Sequence, residues 1–197
     1  MNILSIGNSF SQDAQRYLHQ IARADGYDLR CFNLYIGGCP LSYHFRNMLS
    51  EEKNYTLEMN GFSTGFRFSL KEALLSRDWD VITLQQVSSQ SFDYETYQPY
   101  LNQLADYVRA LVPKAKIAIH QTWGYSDDSP RIGDLNYKNH EEMFQDVKSA
   151  YDKAAKKINA DFLIPSGQVL HDLLASGVPS VHRDGFHASL GLGRYAI

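Results

Sequence analysis

Near its beginning the sequence reads Ile3-Leu4-Ser5-Ile6-Gly7-Asn8-Ser9-Phe10-Ser11. A short apolar run that stops at Gly-Asn and precedes an amphipathic segment predicts a buried strand, a sharp turn and the start of a helix. The turn puts Ser9 at the carboxyl end of that strand. Because ligands of open α/β sheets bind in the crevice outside the carboxyl ends of the strands, we interpret Ser9 as a candidate nucleophile.

The segment after this turn has the pattern of a helix that packs on a sheet. Apolar side chains recur at helical spacing and predict its buried face: Ala14, Tyr17, Leu18, Ile21 and Ala22. Asp13 and Gln15 fall on the opposite, polar face, where Asp13 also suits the positive end of the helix dipole. Ser11 is the expected N-cap, and Gly26 is placed to end the helix. The pattern therefore predicts one surface helix between the turn and Gly26.

The rest of the chain alternates short apolar runs with helical patterns. Strands are predicted at 29–36, 79–84, 116–120 and 161–164, and helices near 41–49, 69–76, 96–111, 139–158 and 169–174. Residues 51–68 are less regular and fit either a β-hairpin insertion or an ordered loop. The alternation predicts a parallel sheet covered by helices on both faces, which is a three-layer α/β/α sandwich with right-handed crossovers. At 197 residues, the whole chain (1–197) is expected to be a single domain.

Composition and charge narrow the classes of function. The formal net charge is −3 and the Lys and Arg residues are scattered, so nothing indicates a nucleic-acid partner. No apolar run approaches the roughly 20 residues that a membrane helix needs. The first predicted strand begins without a leader pattern before it, which favours a cytoplasmic protein, or a secreted one if a leader was removed. Cys31 and Cys39 are expected to be free thiols, since two cysteines make no disulfide framework.

A second motif, near the end of the chain, could provide the base that Ser9 needs. A serine hydroxyl is a weak nucleophile unless a base lies within hydrogen-bond reach and is itself oriented by a third group. Asp184 and His187 stand three residues apart around Gly185. Asp184 can accept from Nδ1–H of His187, which leaves Nε2 of the ring to take the proton of Ser9. The alternative is that His182, Asp184 and His187 bind zinc, but their spacing matches no tight helical or hairpin metal site.

Acyl-transfer chemistry also requires hydrogen-bond donors for the developing oxyanion. The candidates are the backbone N–H of Ser9, the backbone N–H of Gly38, and a side-chain amide from Gln85 or Gln86. The glycine and the two glutamines follow predicted strands that would lie near Ser9 in a parallel sheet. Three further residues are candidates for binding the substrate: Asn8, Gly37 and Trp123.

Four pieces of the sequence together resemble the SGNH (GDSL-like) hydrolases. They are Ile-Gly-Asn-Ser-Phe-Ser at 6–11, Gly-Gly at 37–38, Trp-Asp-Val-Ile-Thr-Leu-Gln-Gln at 79–86 and Asp-Gly-Phe-His at 184–187. The pieces occur in the family's order, and the first is most similar to a bacterial subgroup whose first block reads Gly-Asn-Ser-Phe. The resemblance implies a flavodoxin-like fold with a five-stranded parallel sheet, and removal of acyl groups from esters without a metal or other cofactor. It also implies four roles: Ser9 as nucleophile, His187 as base, Asp184 as its partner and Gly38 as an oxyanion donor.

The sequence departs from the pattern of this family in three places. Asn8 stands where the name-giving motif has Asp, which is not the nucleophile. The third block, Gly-x-Asn-Asp, is missing, and Gln85 and Gln86 stand near its place. The sequence stops ten residues after His187, so the terminal helix of this fold is expected to be cut short.

These features predict a serine esterase or deacetylase that works through an acyl-enzyme. The expected substrate is a small-molecule or carbohydrate ester with a short acyl group, an O-acetylated carbohydrate foremost. Two alternatives stay open. One is a module on the same fold that binds a carbohydrate or an anion without turnover. The other is an acyltransferase, since water and an acceptor hydroxyl meet the same acyl-enzyme. The sequence leaves the oligomeric state open.

Overall fold

The computed structural model describes residues 1–197 and has seven strands in one sheet. The strands are β1 (Asn2–Gly7), β2 (Arg30–Tyr35), β3 (Tyr55–Met59), β4 (Phe62–Phe68), β5 (Val81–Leu84), β6 (Lys116–His120) and β7 (Phe162–Ile164). Their order across the sheet is β4-β3-β2-β1-β5-β6-β7. β1 is therefore central, and its last four residues are buried.

Nine α-helices connect and cover these strands. They are α1 (Ser9–Gln15), α2 (Leu18–Ala24), α3 (Leu41–Ser50), α4 (Leu70–Leu75), α5 (Tyr100–Leu111), α6 (Pro130–Asp134), α7 (His140–Lys157), α8 (Ser166–Ala175) and α9 (Leu192–Ala196). All four residues of β5 are buried, which requires cover on both faces of the sheet centre. None of the helices is both long and apolar enough to cross a membrane.

The prediction of a five-stranded parallel sheet is wrong, because the sheet has seven strands and is mixed. β2, β1, β5, β6 and β7 pair in parallel. β3 and β4 form a hairpin that pairs antiparallel with the free edge of β2. Of the two alternatives for residues 51–68, the hairpin is the one found. Its turn is Asn60-Gly61, with φ of 52° and 83°, a left-handed geometry that Asn and Gly tolerate best.

The helix expected after the first turn differs from the prediction in its start, its continuity and its buried face. The N-cap is Asn8 rather than Ser11, and its side-chain oxygen accepts from the backbone N–H of Phe10. The helix is interrupted between α1 and α2, and α2 has no fully buried residue. In α1, by contrast, Asp13 and Gln15 are buried although the periodicity assigned them to solvent. Polar partners explain this inversion, since Gln15 donates to Ser5 Oγ at 2.7 Å.

One large apolar cluster fills the space between the sheet and its helices. Aromatic side chains contribute much of it, and four of the fully buried ones are Trp123, Tyr55, Tyr97 and Tyr151. Phe10, directly after Ser9, is 2% exposed and packs on Trp123 with ring centroids 4.3 Å apart. The candidate nucleophile is thus anchored by the next residue in the chain. Cys31 and Cys39 are buried and free.

Candidate active site

The structure brings Ser9, His187 and Asp184 together into one hydrogen-bonded row at the carboxyl edge of the sheet. Nε2 of His187 lies 2.8 Å from Oγ of Ser9. Nδ1 of the same ring lies 2.7 Å from Oδ2 of Asp184. Ser9 and His187 are 178 positions apart in the sequence, whereas Asp184 and His187 are only three apart. This is the geometry of a nucleophile, a base and a group that orients the base.

A tight turn presents Asp184 and His187 to Ser9. Gly185 has φ of +84°, a conformation that L residues rarely adopt. The turn lets Oδ1 of Asp184 accept from the backbone N–H of His187 at 2.8 Å while Oδ2 holds the ring. Burial by itself would raise the pKa of Asp184, but the hydrogen bonds from the His187 ring and backbone outweigh it and hold that pKa below its ordinary value. Asp184 is therefore ionised when it orients the imidazole.

Two backbone donors are available where an oxyanion would form. The N–H of Ser9 begins α1, and the N–H of Gly38 lies in the loop after β2; neither has a partner in the protein. Gly38 has φ of +62° and is exposed. An added Cβ at Gly38 would meet nothing within 4 Å, so the glycine is needed for its backbone conformation rather than for space. These two N–H groups are the predicted oxyanion donors that remain open.

The predicted amide donors do not face the cleft. Gln86 is fully buried, and its Nε2 donates to the carbonyl and the hydroxyl of Thr96, both at 3.1 Å. Its Oε1 accepts from the N–H of Leu41 at 2.9 Å, which joins the loop after β5 to the start of α3. Gln85 is 2% exposed, and its Nε2 donates to Asn8 Oδ1 at 2.8 Å. The correction has a simple cause: both amides are buried and are bound to other polar atoms of the protein, on Thr96 and Leu41 for Gln86 and on Asn8 for Gln85.

Two of the three predicted substrate-binding residues are also turned inwards. Asn8 is 1% exposed, and its amide donates to the carbonyl of Cys39 at 3.1 Å. Trp123 is fully buried and donates from Nε1 to the carbonyl of Phe186 at 2.7 Å. Both residues hold loops of the site rather than facing a ligand. Gly37 is the exception, since it is exposed beside Gly38.

Sequence reasoning missed a buried ion cluster that joins α1 to the turn carrying His187. The carboxylate of Asp13 is fully buried and accepts from Arg183, from Arg194 and from the backbone N–H of Ala188. Helical periodicity assigned Asp13 to the solvent face. The one available signal is Arg183, which directly precedes Asp184 in the motif at 184–187.

The alternative zinc site is not formed. Asp184 and His187 bind each other, and Nε2 of His182 lies 3.0 Å from the carbonyl of Gly124. No group of three or more His, Cys, Asp or Glu side chains is arranged to hold a metal ion. Burial lowers the pKa of His182 to about 4, so this ring is neutral and structural at neutral pH.

Comparisons with known proteins bear on the family and the fold. The sequence profile of DUF4886, a domain of unknown function, matches residues 2–197. No curated protein matches the sequence. Among solved structures, a DUF4886 family protein from Bacteroides uniformis is 33% identical, with a TM-score of 0.93 over 99% of this chain and 78% of that chain.

Solved structures of lower identity share the fold. A protein from Slackia heliotrinireducens that has been assigned to the SGNH hydrolases is 22% identical, with a TM-score of 0.68 over 100% of this chain and 94% of that chain. A variant of an acetyl xylan esterase from Geobacillus stearothermophilus is 15% identical, with a TM-score of 0.62 over 99% of this chain and 89% of that chain. The fold of this chain is therefore that of the SGNH hydrolases. Membership of the subgroup with a Gly-Asn-Ser-Phe first block stays a prediction.

Proposed function

The chain belongs to the DUF4886 family, and we propose that it acts as a serine esterase that removes a short acyl group from an ester. The observation that carries the proposal is the continuous hydrogen-bonded row from Ser9 through His187 to Asp184. Two unpartnered backbone N–H groups, on Ser9 and Gly38, accompany it. A nucleophile, an oriented base and oxyanion donors are together what ester hydrolysis by a covalent route requires.

In the proposed first half-reaction, Oγ of Ser9 attacks the carbonyl carbon of the ester and Nε2 of His187 takes the hydroxyl proton. The ring becomes an imidazolium, which ionised Asp184 stabilises. The carbonyl oxygen becomes an oxyanion that accepts from the N–H groups of Ser9 and Gly38. Collapse of this intermediate breaks the bond to the alcohol, which leaves with the proton from His187, and an acyl-Ser9 ester remains.

In the second half-reaction a water molecule replaces the alcohol. His187 takes a proton from this water as it attacks the acyl carbonyl, and the same two N–H groups hold the oxyanion. Collapse breaks the bond to Ser9, whose Oγ regains a proton from the ring. The products are the free carboxylic acid and the unmodified protein, so no cofactor is consumed.

Aromatic rings pack closely around His187, beside Ser9. The ring of Phe10 packs on Trp123 at 4.3 Å and lies 5.7 Å from the ring of His187. Phe186 packs closer to the His187 ring, with centroids 4.0 Å apart. This packing favours a short acyl group over a long chain. The acetyl xylan esterases of the same fold further support acetyl as the group and a carbohydrate as the alcohol.

The proposal is tested with p-nitrophenyl acetate, using the parent protein and Ser9→Ala at equal concentration. We expect Ser9→Ala to lose activity by about 10³-fold or more, because the nucleophile is gone. Ser50→Ala, at an exposed serine on α3, is the matched control and should retain the parent rate. An organophosphate should add once to the parent and not to Ser9→Ala by intact-protein mass spectrometry. Equal rates in the parent and Ser9→Ala would contradict the proposal.

The same experiment separates the two alternative functions. Adding an acceptor such as glycerol divides the acyl-enzyme between water and the acceptor, so an acyltransferase would form acylglycerol in preference to acetate. A binding module would not hydrolyse p-nitrophenyl acetate. It would instead be stabilised against heat by a carbohydrate ligand, with the same shift in Ser9→Ala.

A further inference from the structure

A row of buried polar side chains crosses the sheet behind the candidate triad. Its members follow or end β7, β6, β5 and β1, and they are Ser166, His120, Gln85 and Asn8. Their exposures are 2%, 3%, 2% and 1%. The row ends at the carbonyl of Cys39, in the loop after β2. It therefore reaches every one of the five parallel strands at its carboxyl end, including the loop that carries Gly38.

Each neighbouring pair in this row is within hydrogen-bond distance. Oγ of Ser166 lies 3.0 Å from Nε2 of His120, and Nδ1 of that ring lies 2.9 Å from Oε1 of Gln85. Nε2 of Gln85 lies 2.8 Å from Oδ1 of Asn8. Nδ2 of Asn8 lies 3.1 Å from the carbonyl oxygen of Cys39. We call these four side chains the relay.

Two backbone groups determine the direction of every hydrogen bond in the relay. The N–H of Phe10 can only donate, at 3.0 Å to Oδ1 of Asn8, and the carbonyl of Cys39 can only accept from Nδ2 of Asn8. The amide of Asn8 is thus oriented, so Gln85 must turn its nitrogen to Asn8 and its oxygen to His120. Nδ1 of His120 must then carry the proton, and Nε2 must accept from Ser166. Only one tautomer of His120 satisfies the whole relay.

We propose that His120 is a positioning residue, which through Gln85 and Asn8 holds the Ser9 turn and the Gly38 loop in the relative position that the reaction needs. The inference rests on the proposed esterase function. Asn8 is the shared anchor, because it caps α1 beside Ser9 and also binds Cys39 beside Gly38. Gln85 is the protein side chain that holds the amide of Asn8 from the side of the sheet. His120, on the end of a central strand, fixes Gln85 in turn.

The relay also explains why the third family block can be absent. Gln85 stands near the place of the missing Asn. It supports the loop that carries Gly38 through Asn8 rather than by contacting an oxyanion directly. Burial lowers the pKa of His120 to about 4, so the ring stays neutral and its single proton stays on one nitrogen across the neutral range. Removal of Gln85 or His120 would leave buried polar atoms without partners and release Asn8.

The first test is the tautomer of His120, read from the imidazole ¹⁵N shifts of the parent protein at pH 7 and assigned with His120→Asn. We expect a protonated Nδ1 and an unprotonated Nε2. In Gln85→Leu the acceptor of Nδ1–H is gone, and we expect the proton to move to Nε2, where Ser166 can accept it. A parent ring protonated on Nε2, or no change in Gln85→Leu, would overturn the direction of the relay.

The second test measures kcat and KM on p-nitrophenyl acetate. We expect His120→Leu to lower kcat roughly ten- to hundredfold with KM within about twofold, because the donors and the nucleophile move relative to each other. His120→Asn keeps a nitrogen donor at the δ position and should recover most of kcat. His44→Leu is the matched control, since His44 is also fully buried but lies on α3 outside the relay. It should lose stability and keep the parent kcat.

The outcomes distinguish this inference from the proposed function. His120→Leu with the parent kcat, or a loss of equal size in His44→Leu, overturns the positioning role while the esterase stands. A parent without esterase activity overturns the proposed function alone. In that case the amide resonances of Ser9 and Gly38 decide the inference: both should shift in Gln85→Leu and in His120→Leu, and unchanged resonances would overturn it.

Discussion

The guanidinium of Arg183 binds the buried carboxylate of Asp13 across 170 residues of sequence, with Nη1 3.0 and 2.9 Å from the two carboxylate oxygens. Arg194 adds a second guanidinium at 2.8 Å, and the backbone N–H of Ala188 adds a hydrogen bond at 3.1 Å. Asp13 lies one turn after Ser9 on α1, and Arg183 directly precedes Asp184. The cluster therefore joins the segment that carries the nucleophile to the segment that carries its base.

Replacing Asp13 with Asn should destabilise the protein by about 3–5 kcal/mol, because two partly buried guanidinium groups lose their counter-charge. The measurement is the free energy of unfolding in urea. Asp106→Asn is the control, since Asp106 is 74% exposed and its pair with Arg109 is 3.8 Å long. That change should cost less than about 1 kcal/mol. Similar losses of unfolding free energy in Asp13→Asn and Asp106→Asn would contradict the stabilising role of Asp13.

Replacing Gly185 with Ala should lower both stability and kcat. A Cβ there would lie 2.8 Å from Cβ and Oγ of Ser129, and φ is +84°. The turn between Asp184 and His187 must move in response. Gly177→Ala is the matched control, because φ there is +93° but a Cβ meets nothing within 4 Å. It should lose roughly 1 kcal/mol from backbone strain and keep its kcat. Full activity in Gly185→Ala would show that the turn tolerates displacement.

Replacing Trp123 with Phe should lower kcat and leave KM unchanged. The change removes the donor to the carbonyl of Phe186, which stands next to His187, and costs about 0.5–1.5 kcal/mol for the lost, partly buried hydrogen bond. Trp79→Phe is the control at the opposite end of the sheet, where Nε1 binds the carbonyls of Ala73 and Leu74. That variant should lose comparable stability and no activity. A rise in KM in Trp123→Phe would favour a direct substrate contact instead.

Replacing Asp184 with Asn should lower kcat roughly 10²- to 10⁴-fold with little loss of stability. The amide cannot stabilise the imidazolium of His187 and can favour the wrong tautomer of the ring. Asp184 is 43% exposed, so removing its charge leaves no buried ion behind. Steady-state kinetics measure the loss of kcat, and urea unfolding of the same preparation measures the loss of stability. A large loss of stability would assign Asp184 a structural role instead.

Lowering the pH from 7 to 4.5 should destabilise the fold through its buried histidines. Burial lowers the pKa of His120 and of His182 to about 4 and that of His44 to about 3, against 6.5 for an ordinary His. At pH values below about 6.5 and above these lowered pKa values, the three histidines bind protons in the unfolded chain but stay neutral in the folded one. The free energy of unfolding is therefore greatest above about pH 6.5 and falls as the pH drops.

Urea midpoints at pH 7.5, 6.5, 5.5 and 4.5 measure this dependence. The pKa of Asp184 is lowered from 3.8, so its contribution is lost only below this range. His44→Leu should show a shallower decline than the parent, because one of the buried rings is gone. A parent midpoint that does not change between pH 7.5 and 4.5 would refute the prediction.

Ser9, Asp184 and His187 could be named from the sequence because each lies in a local pattern: a strand that stops at Gly-Asn, and an Asp-x-x-His turn around Gly185. The carboxyl ends of parallel strands lie at one edge of a sheet, so the two patterns are expected to meet there. The hairpin at 51–68 could not be decided in this way. Alternating polar and apolar residues around Asn60-Gly61 fit a loop as well as two strands, and only the free edge of β2 selects the strands.

The supporting polar residues were not predictable, and Asp13 shows why. Periodicity assigns a charged helix residue to solvent unless a partner is known, and its partners lie 170 and 181 residues away. Gln85 and Gln86 raise a related difficulty. Their amides could be recognised as unusual at the end of a strand, but the atoms that they bind belong to other loops. Satisfaction of buried hydrogen bonds is a property of the assembled fold.

The separation between Ser9 and His187 has a consequence for the timing of biosynthesis. Synthesis runs from the amino to the carboxyl end of a chain, so the strand, turn and helix that present Ser9 are made well before His187 and Arg194. A growing chain can fold most of its sheet and still hold a hydroxyl with no group to activate it. Under the proposed function, Ser9 therefore gains its base only when the segment with Arg183, His187 and Arg194 docks on α1.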